Sequence, residues 1–578
     1  MSLHDDGKGR AEAIYLGNCT SRNHCGGNGP WVMADLEYGL WAGISSLVKT
    51  AGGRHSCPVN PRFLTRERDL VCIGLSAAVL LPRAYLALHD QGVIWPDEIF
   101  QTLEQGHRLA FGYGFVPWEF RDGARSWLLP GIVGGVMKAL AAGGMHSGSS
   151  LTAGTKLVFA GLATLAFYPV LRMAYAWGGI LAALLCGAVA CAFPANLIYS
   201  SRAMSEVASA PFLTWGLWLL WPWGMGHAGR AAAVLARPGR VGRMRTDWLL
   251  LWAGVSLGFC ALLRYQNAML VPAVLLIVAT RRSLRVAALV AVGAVLVLLF
   301  GGWLDWVTWG KPFHSLVVYV RFNLLEHGAS AWGIANRWFY LRTLLETDGA
   351  AVLVLAAGFV AGLRRTWPVG VLALIFLGAH TLIPHKELRF LYPVLPLFVL
   401  CSAVGLSVIT SSLPCSARTR LVAGAALALA LLVSFSVRAR QVSFQDIGQF
   451  MDDSCCGGPT SPLVWGAFEE RNRLFSQAGS HVDLCGLAAP TINAYWTGGY
   501  SYLHRAVPVL WSDTPADLDA ANFVLVSPGQ GLSDHRYRKA AEAGPYALYQ
   551  RDGACTPPRG SLEYQRLVPK GVLGQSRE

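Results

Sequence analysis

Charged side chains are sparse in this chain, and those whose spacing suits chemistry gather in two places far apart. The first is Trp95-Pro96-Asp97-Glu98-Ile99-Phe100-Gln101-Thr102-Leu103-Glu104, running on to Arg108. It reads as a helix start, because proline suits a first turn and two carboxylates there face the positive end of the helix dipole. Gln101, Glu104 and Arg108 follow Asp97 at offsets of four, seven and eleven, forming one polar stripe, with Ile99, Phe100 and Leu103 on the apolar side. Such a helix can lie along a membrane surface. Trp118, Glu119, Arg121, Asp122 and Arg125 come soon after. Dipole complementation is the plainer reading of Asp97 and Glu98, yet this density of titratable groups beside a membrane favours catalysis.

The second place is Pro384-His385-Lys386-Glu387-Leu388-Arg389. Three basic groups within five residues, where an apolar run emerges, suit the binding of a phosphate. Snorkelling anchors are the alternative, but a basic cluster on the outer side runs against the usual distribution of Lys and Arg. Arg202 and Glu206, one helical turn apart, are read as a local pair or as part of the site. Arg264, in LLRYQN, is divided evenly between anchor and phosphate contact. Trp118 and Glu119 suit a sugar, although aromatic belts at interfaces are common, and Trp303, Trp306 and Trp309 read as such a belt.

The elements that must carry these residues are membrane helices. Only 14% of the 578 residues are charged and 53% are hydrophobic, against roughly 25% charged in soluble proteins; mean hydropathy is +0.40. Apolar residues fall in long runs, which excludes a β-barrel. The runs open near Leu70, Trp127, Leu151, Gly178, Val207, Trp248, Met269, Val286, Ala350, Pro368, Phe390 and Leu421, giving about ten to twelve spans of roughly 20 residues. The net charge of +14, from 48 Lys and Arg against 34 Asp and Glu, reflects basic loops at a membrane face and not nucleic-acid binding.

Loop charge sets an orientation. Arg54, Arg62, Arg66 and Arg68 place the N-terminus inside, as do Arg230 to Arg245, Arg281-Arg282, Arg364-Arg365 and Arg418/Arg420 for their own loops. The outer side then receives residues 92–126, Arg264 to Asn267, residues 304–346, the His385-Lys386-Glu387 turn and everything after about Val437. Between Trp127 and Arg230 the parity fails by one, so one segment there is expected to be partial or re-entrant. The expected division is a cytosolic, mostly disordered arm (1–69), a transmembrane catalytic domain (70–437) and an extracytoplasmic α/β domain (438–578). No cleavable signal is expected at Met1, the first span serving instead. A transporter places ionisable groups within its spans. Here they lie in outer loops, which favours an enzyme.

WPDEIFQTLEQGHRLAFGYGFVPWEF followed by RSWLLP resembles the first lumenal loop of the GT-C mannosyltransferases of glycosyltransferase family 22. That branch contains the GPI-anchor and lipid-linked-oligosaccharide mannosyltransferases. Its pattern is approximately HPDE-x-[FW]-Q-x-x-E-x-x-H, then W-E and R-S-x-x-x-P. The match departs at Trp95, where histidine is usual. FGYG-x-x-[PT]-WE looks most like the members that add the third mannose of the GPI core. Asp305-x-x-x-Trp309-Gly310 with Phe322-Asn323, then HKELRFLYP from His385 to Pro393, match later family loops in order. The resemblance covers about Leu70 to Thr410.

The resemblance implies a GT-C fold and an inverting transfer of mannose or a related hexose from a dolichyl- or polyprenyl-phosphate donor to a hydroxyl of a glycolipid or lipid-linked glycan. Asp97 is then the general base, with Glu98 second. Donor phosphate falls to His385, Lys386, Arg389, Arg264 and Arg202. Substrate contacts fall to Gln101, Glu104, His107, Trp118, Glu119, Arg125 and Glu387. Such chemistry needs a base and cations around the departing phosphate. No cofactor or metal is expected: no Gly-rich phosphate loop follows a strand, and no cysteine pair has zinc spacing. The expected partners are the lipid-linked donor, the glycan acceptor and membrane lipid. The membrane is that of the endoplasmic reticulum in a eukaryote or the inner membrane in a bacterium. A lipid-linked-sugar flippase and a GT-C enzyme glycosylating protein remain the rivals.

The tail reads as a packing module or as a roof that helps recognise the acceptor. PLVWGAF and ANFVLVSP look strand-like, and Cys455, Cys456, Cys485 and Cys555 are candidates for disulfides.

Overall fold

The computed structural model describes residues 61–221, 240–281, 283–449, 461–492, 496–527 and 529–556. The expected N-terminal arm, most of the Arg230–Arg245 loop and Cys455-Cys456 lie outside them. Seven helices among the described residues are long and apolar enough to cross a bilayer: within Glu67–His89, Gly148–Ala192, Thr246–Leu263, Leu284–Trp309, Ala351–Leu382, Leu388–Ser411 and Ala417–Ala439. A helix satisfies its backbone groups internally, which lipid requires.

Seven falls short of the ten to twelve expected because two of these elements take up two runs each, while the runs at Trp127, Val207 and Met269 form shorter helices, Leu128–Ala142, Ser205–Leu220 and Leu270–Arg281. Gly148–Ala192 is 45 residues long and takes up two of the predicted runs, with non-helical dihedrals at Gly178 and Gly179. Ala351–Leu382 likewise absorbs the runs at Ala350 and Pro368. Between residues 127 and 230, Leu128–Ala142 has 15 residues, about 22 Å of helix against a hydrocarbon core of about 30 Å.

Helices meet through glycine. Gly358 and Gly362, four apart on one helix, lie against Gly405 of the next, where a Cβ would run into the Gly358 carbonyl. Gly254 and Gly293 join the 240–263 and 284–309 helices in the same way. Close backbone approach is how membrane helices gain contact when apolar burial against lipid offers nothing.

The first loop departs from a regular helix. Pro96–Glu98 is one α-turn, Ile99–Leu103 is a π-turn, and Glu104–Phe111 is α-helix. Ile99, Phe100 and Leu103 are buried in the protein core instead of lying on a membrane surface.

The tail carries a five-stranded sheet of β1 (Leu487–Ala488), β2 (Val509–Leu510), β3 (Phe523–Val526), β4 (Arg538–Ala543) and β5 (Tyr546–Gln550), ordered β2-β1-β3-β5-β4. The β1 pairings are parallel and the β5 pairings antiparallel. ANFVLVSP supplies β3, but PLVWGAF forms turns, because Gly466 and Phe468 adopt positive φ. Cys485 and Cys555 form a disulfide. One hydrophobic core continues from the helices into the tail, through Phe435, Val442, Phe444, Leu474, Phe523 and Leu548.

Gly405→Val is expected to force the Gly358–Gly405 crossing apart and destabilise the protein by about 1–3 kcal/mol or more. Thermal unfolding in detergent tests this, and an unchanged midpoint would mean that the crossing adjusts freely.

Candidate active site

The π-turn decides where the first loop's polar side chains go. An extra residue in that turn rotates everything after it, so the stripe from Asp97 to Arg108 is split. Asp97 and Gln101 face a cavity of about 1280 Å³, together with Trp118, Glu119 and Arg125. Glu104 is fully buried away from it, where Phe115 N, Tyr500 N, Ser501 N and Ser501 Oγ all donate to its carboxylate at 2.9–3.2 Å. Burial pushes its carboxyl up to about 7, with those donors opposing. His107 is buried beside it, with Nε2 2.9 Å from Nδ1 of His504 and Nδ1 3.2 Å from the Tyr113 carbonyl. Burial holds the ring down at about 3. Both residues bind the tail to the loop and touch no part of the cavity.

The HKELRF segment closes the opposite wall, so residues some 290 apart in sequence meet. Arg389 Nη2 lies 2.7 Å from Asp97 Oδ2, across 292 residues, and also 2.7 Å from Glu387 Oε1. Its Nε donates to Glu387 Oε2 at 2.8 Å, and its Nη1 is 3.4 Å from Glu206. Glu387 further receives His385 Nε2 at 3.1 Å and Gln449 Nε2 at 3.2 Å. Burial alone would raise the Glu387 carboxyl, but Arg389 and His385 outweigh it and hold it below the usual range. Lys386 donates to the Ala335 carbonyl at 2.8 Å, and burial lowers its ammonium pKa.

Asp97 keeps 32% of its side chain exposed. Gln101 Nε2 donates to Glu119 Oε1 at 3.0 Å. Burial pushes Glu119 up to about 7, with Arg125 opposing and the Asp97 carboxylate reinforcing.

Arg264 differs from Arg389. It is 6% exposed in the cavity wall, with one ion pair to Glu206 at 2.7 Å and its guanidinium over the Phe390 ring at 4.9 Å. Its Nε and Nη2 have no hydrogen-bond partner. Arg202 and Glu206 do not pair with each other, contrary to their spacing. Arg202 is fully buried behind the first loop, 2.7 Å from Asp90 and 3.4 Å from Glu98. Neither Arg202 nor Glu98 lines the cavity, because the backbone between Leu197 and Ser205 is not helical and turns the arginine away.

Sequence reasoning missed Asp90, Lys156 and the Gly92 carbonyl, which complete that sealed charge cluster. Trp309 leaves the expected belt: its Nε1 donates to the Arg125 carbonyl at 3.2 Å. Trp118 packs against Phe322 with ring centroids 4.7 Å apart and planes tilted by 45°, so the second family-like loop braces the first.

Residues 75–452 match the profile of the Alg9-like mannosyltransferase family. GPI mannosyltransferase 3 of Yarrowia lipolytica is 27% identical over 369 residues, 63% of this chain and 68% of that protein. The protein of the same name from Candida albicans is 24% identical over 347 residues, 59% of this chain and 66% of its own length. The chain thus spans about two thirds of these curated relatives. ArnT from Cupriavidus metallidurans in the apo state superposes with a TM-score of 0.54 at 14% identity, covering 82% of this chain and 97% of that one. The same protein bound to undecaprenyl phosphate gives 0.53. At such identity the likeness establishes the fold, which is GT-C with a C-terminal region containing strands. Residues 1–66 separately match α-L-arabinofuranosidase B, with 57% identity over 42 residues to the Emericella nidulans protein, 7% of this chain. Nearly all of that stretch lies outside the described residues.

Glu104→Gln turns an amide NH2 toward donors that need an acceptor, and about 1–3 kcal/mol of stability is expected to be lost. Melting in detergent and faster proteolysis of the 499–505 segment check it; wild-type behaviour in both would dismiss the clamp.

Proposed function

The chain belongs to the Alg9-like mannosyltransferase family, and from that premise we propose that it moves mannose from a polyprenyl- or dolichyl-phosphate donor to a hydroxyl of a glycolipid or lipid-linked glycan, on the non-cytosolic face of its membrane. The observation that carries this reading is one cavity holding Asp97 on one wall and an incompletely partnered buried cation, Arg264, on another. The relatives named GPI mannosyltransferase 3 favour mannose and a GPI-type acceptor. The undecaprenyl phosphate bound by a protein of the same fold favours a lipid-phosphate leaving group.

Asp97 takes the proton of the acceptor hydroxyl as that oxygen bonds to the sugar's anomeric carbon from the face opposite the phosphate. The bond from carbon to phosphate oxygen breaks, and its electron pair leaves with the lipid phosphate. Configuration inverts. Arg264 stabilises the growing negative charge, since buried donors already in place need no reorganisation. Lys386 is the second cation, reaching from the adjoining wall. Arg389 serves differently from the sequence expectation. Bound to three carboxylates, it has little charge left for phosphate, and it positions Asp97. Helix ends carrying leucine and methionine, at Leu262, Leu263 and Met269, give the same cavity an apolar border for the donor's lipid.

Purified chain supplied with polyprenyl-phosphate mannose and a mannose-bearing glycolipid should form product. Asp97→Asn is expected to lower turnover by about 10²–10⁴-fold while donor binding persists. Full activity in that variant would remove Asp97 from the role.

Arg264→Ala should weaken donor use by about 10–100-fold, the equivalent of one charged hydrogen-bonding group. An unchanged donor KM and rate would place the phosphate elsewhere.

A further inference from the structure

We propose that the C-terminal tail builds the acceptor-sugar subsite, with Trp496 as its stacking platform; this rests on the transferase reading above. Among the described tail residues, Gln445, Gly448, Gln449 and Trp496 line the cavity. None carries a charge, whereas arginines and lysine concentrate on the other walls. A wall of amides and one indole suits a neutral, hydroxyl-rich ligand and not a phosphate.

The indole is rigidly backed. Phe468 stacks on it with centroids 5.1 Å apart and planes 23° from parallel. The Arg471 guanidinium lies 4.7 Å from the Phe468 ring. Phe468 itself sits in the left-handed region at φ 60°, a conformation that persists in a bulky residue only where its surroundings over-determine it. Phe468 covers one face, and the half-buried indole borders the cavity. A pyranose presents there a row of C–H bonds, positive at hydrogen, which the negative face of an aromatic ring attracts. Gln445 is exposed and offers both donor and acceptor to vicinal hydroxyls. Gln449 reaches Glu387, the same carboxylate that holds Arg389 and through it Asp97. The neutral wall therefore ends beside the proton acceptor, where an acceptor hydroxyl must lie.

The test titrates a short α-linked mannose oligosaccharide into the full chain in detergent by calorimetry, with undecaprenyl phosphate titrated in parallel. Trp496→Ala is expected to weaken sugar binding at least tenfold and leave the phospholipid titration unchanged. Trp496→Phe should recover most of the sugar binding. In turnover, Trp496→Ala should raise the acceptor KM and spare the donor KM. Equal sugar binding by wild type and Trp496→Ala overturns the proposal, as does no sugar binding by wild type. Loss of both ligands in Trp496→Ala without rescue by Trp496→Phe assigns the indole a merely structural role and also overturns it. Absence of transfer from polyprenyl-phosphate mannose defeats the reading beneath it instead, because sugar binding is scored separately.

Discussion

A single guanidinium holds the cavity together. Arg389 contacts Asp97 from the first loop, Glu387 from its own segment and Glu206 from the start of the 205–220 helix. A buried cation surrounded this way is stable only while its partners stay, since removing one leaves charge uncompensated in a medium of low dielectric. The contacts therefore fix the distance between walls that no covalent connection relates. Glu206 extends the arrangement by pairing with Arg264 as well, whose Nε and Nη2 are buried without a hydrogen-bond partner.

The far side of the first loop is held as firmly by different chemistry. Glu104 gathers four donors, three of them from residues 500 and 501, and His107 meets His504. Asn472 bridges Gln91 and Gly498. Tail and loop thus form one body, and the tail reaches over the cavity as a wall instead of standing apart as a module. Along eight residues of the same loop, Asp97 lines the cavity while Glu98 and Glu104 are sealed away from it. The π-turn between Ile99 and Leu103 turns Glu104 away from the side that Asp97 and Gln101 share.

Composition made the membrane class legible, since so few charges cannot solvate a protein of this length. The two clusters were legible too, because titratable groups are too scarce here to gather by accident. Their partners were not. Arg202 and Glu206 have helical spacing, and only the irregular backbone between Leu197 and Ser205 separates them. PLVWGAF has strand composition, and the positive φ of Gly466 and Phe468 prevents it from extending. Twelve apolar runs were countable, but whether two neighbouring runs form one broken helix or two is set by packing against other helices.

Taken alone, the chain determined its solvent, its order of helices and loops, and the residue types available for proton transfer and phosphate binding, because these follow from hydropathy and local spacing. Tertiary structure decided which carboxylates face the cavity, which cation remains incompletely paired and which tail residues join the cavity wall. Periodicity assigns a side chain to a face of its own element. What meets that face comes from hundreds of residues away, as Asp97 and Arg389 do across 292 positions, and is settled by the burial energy of the whole assembly.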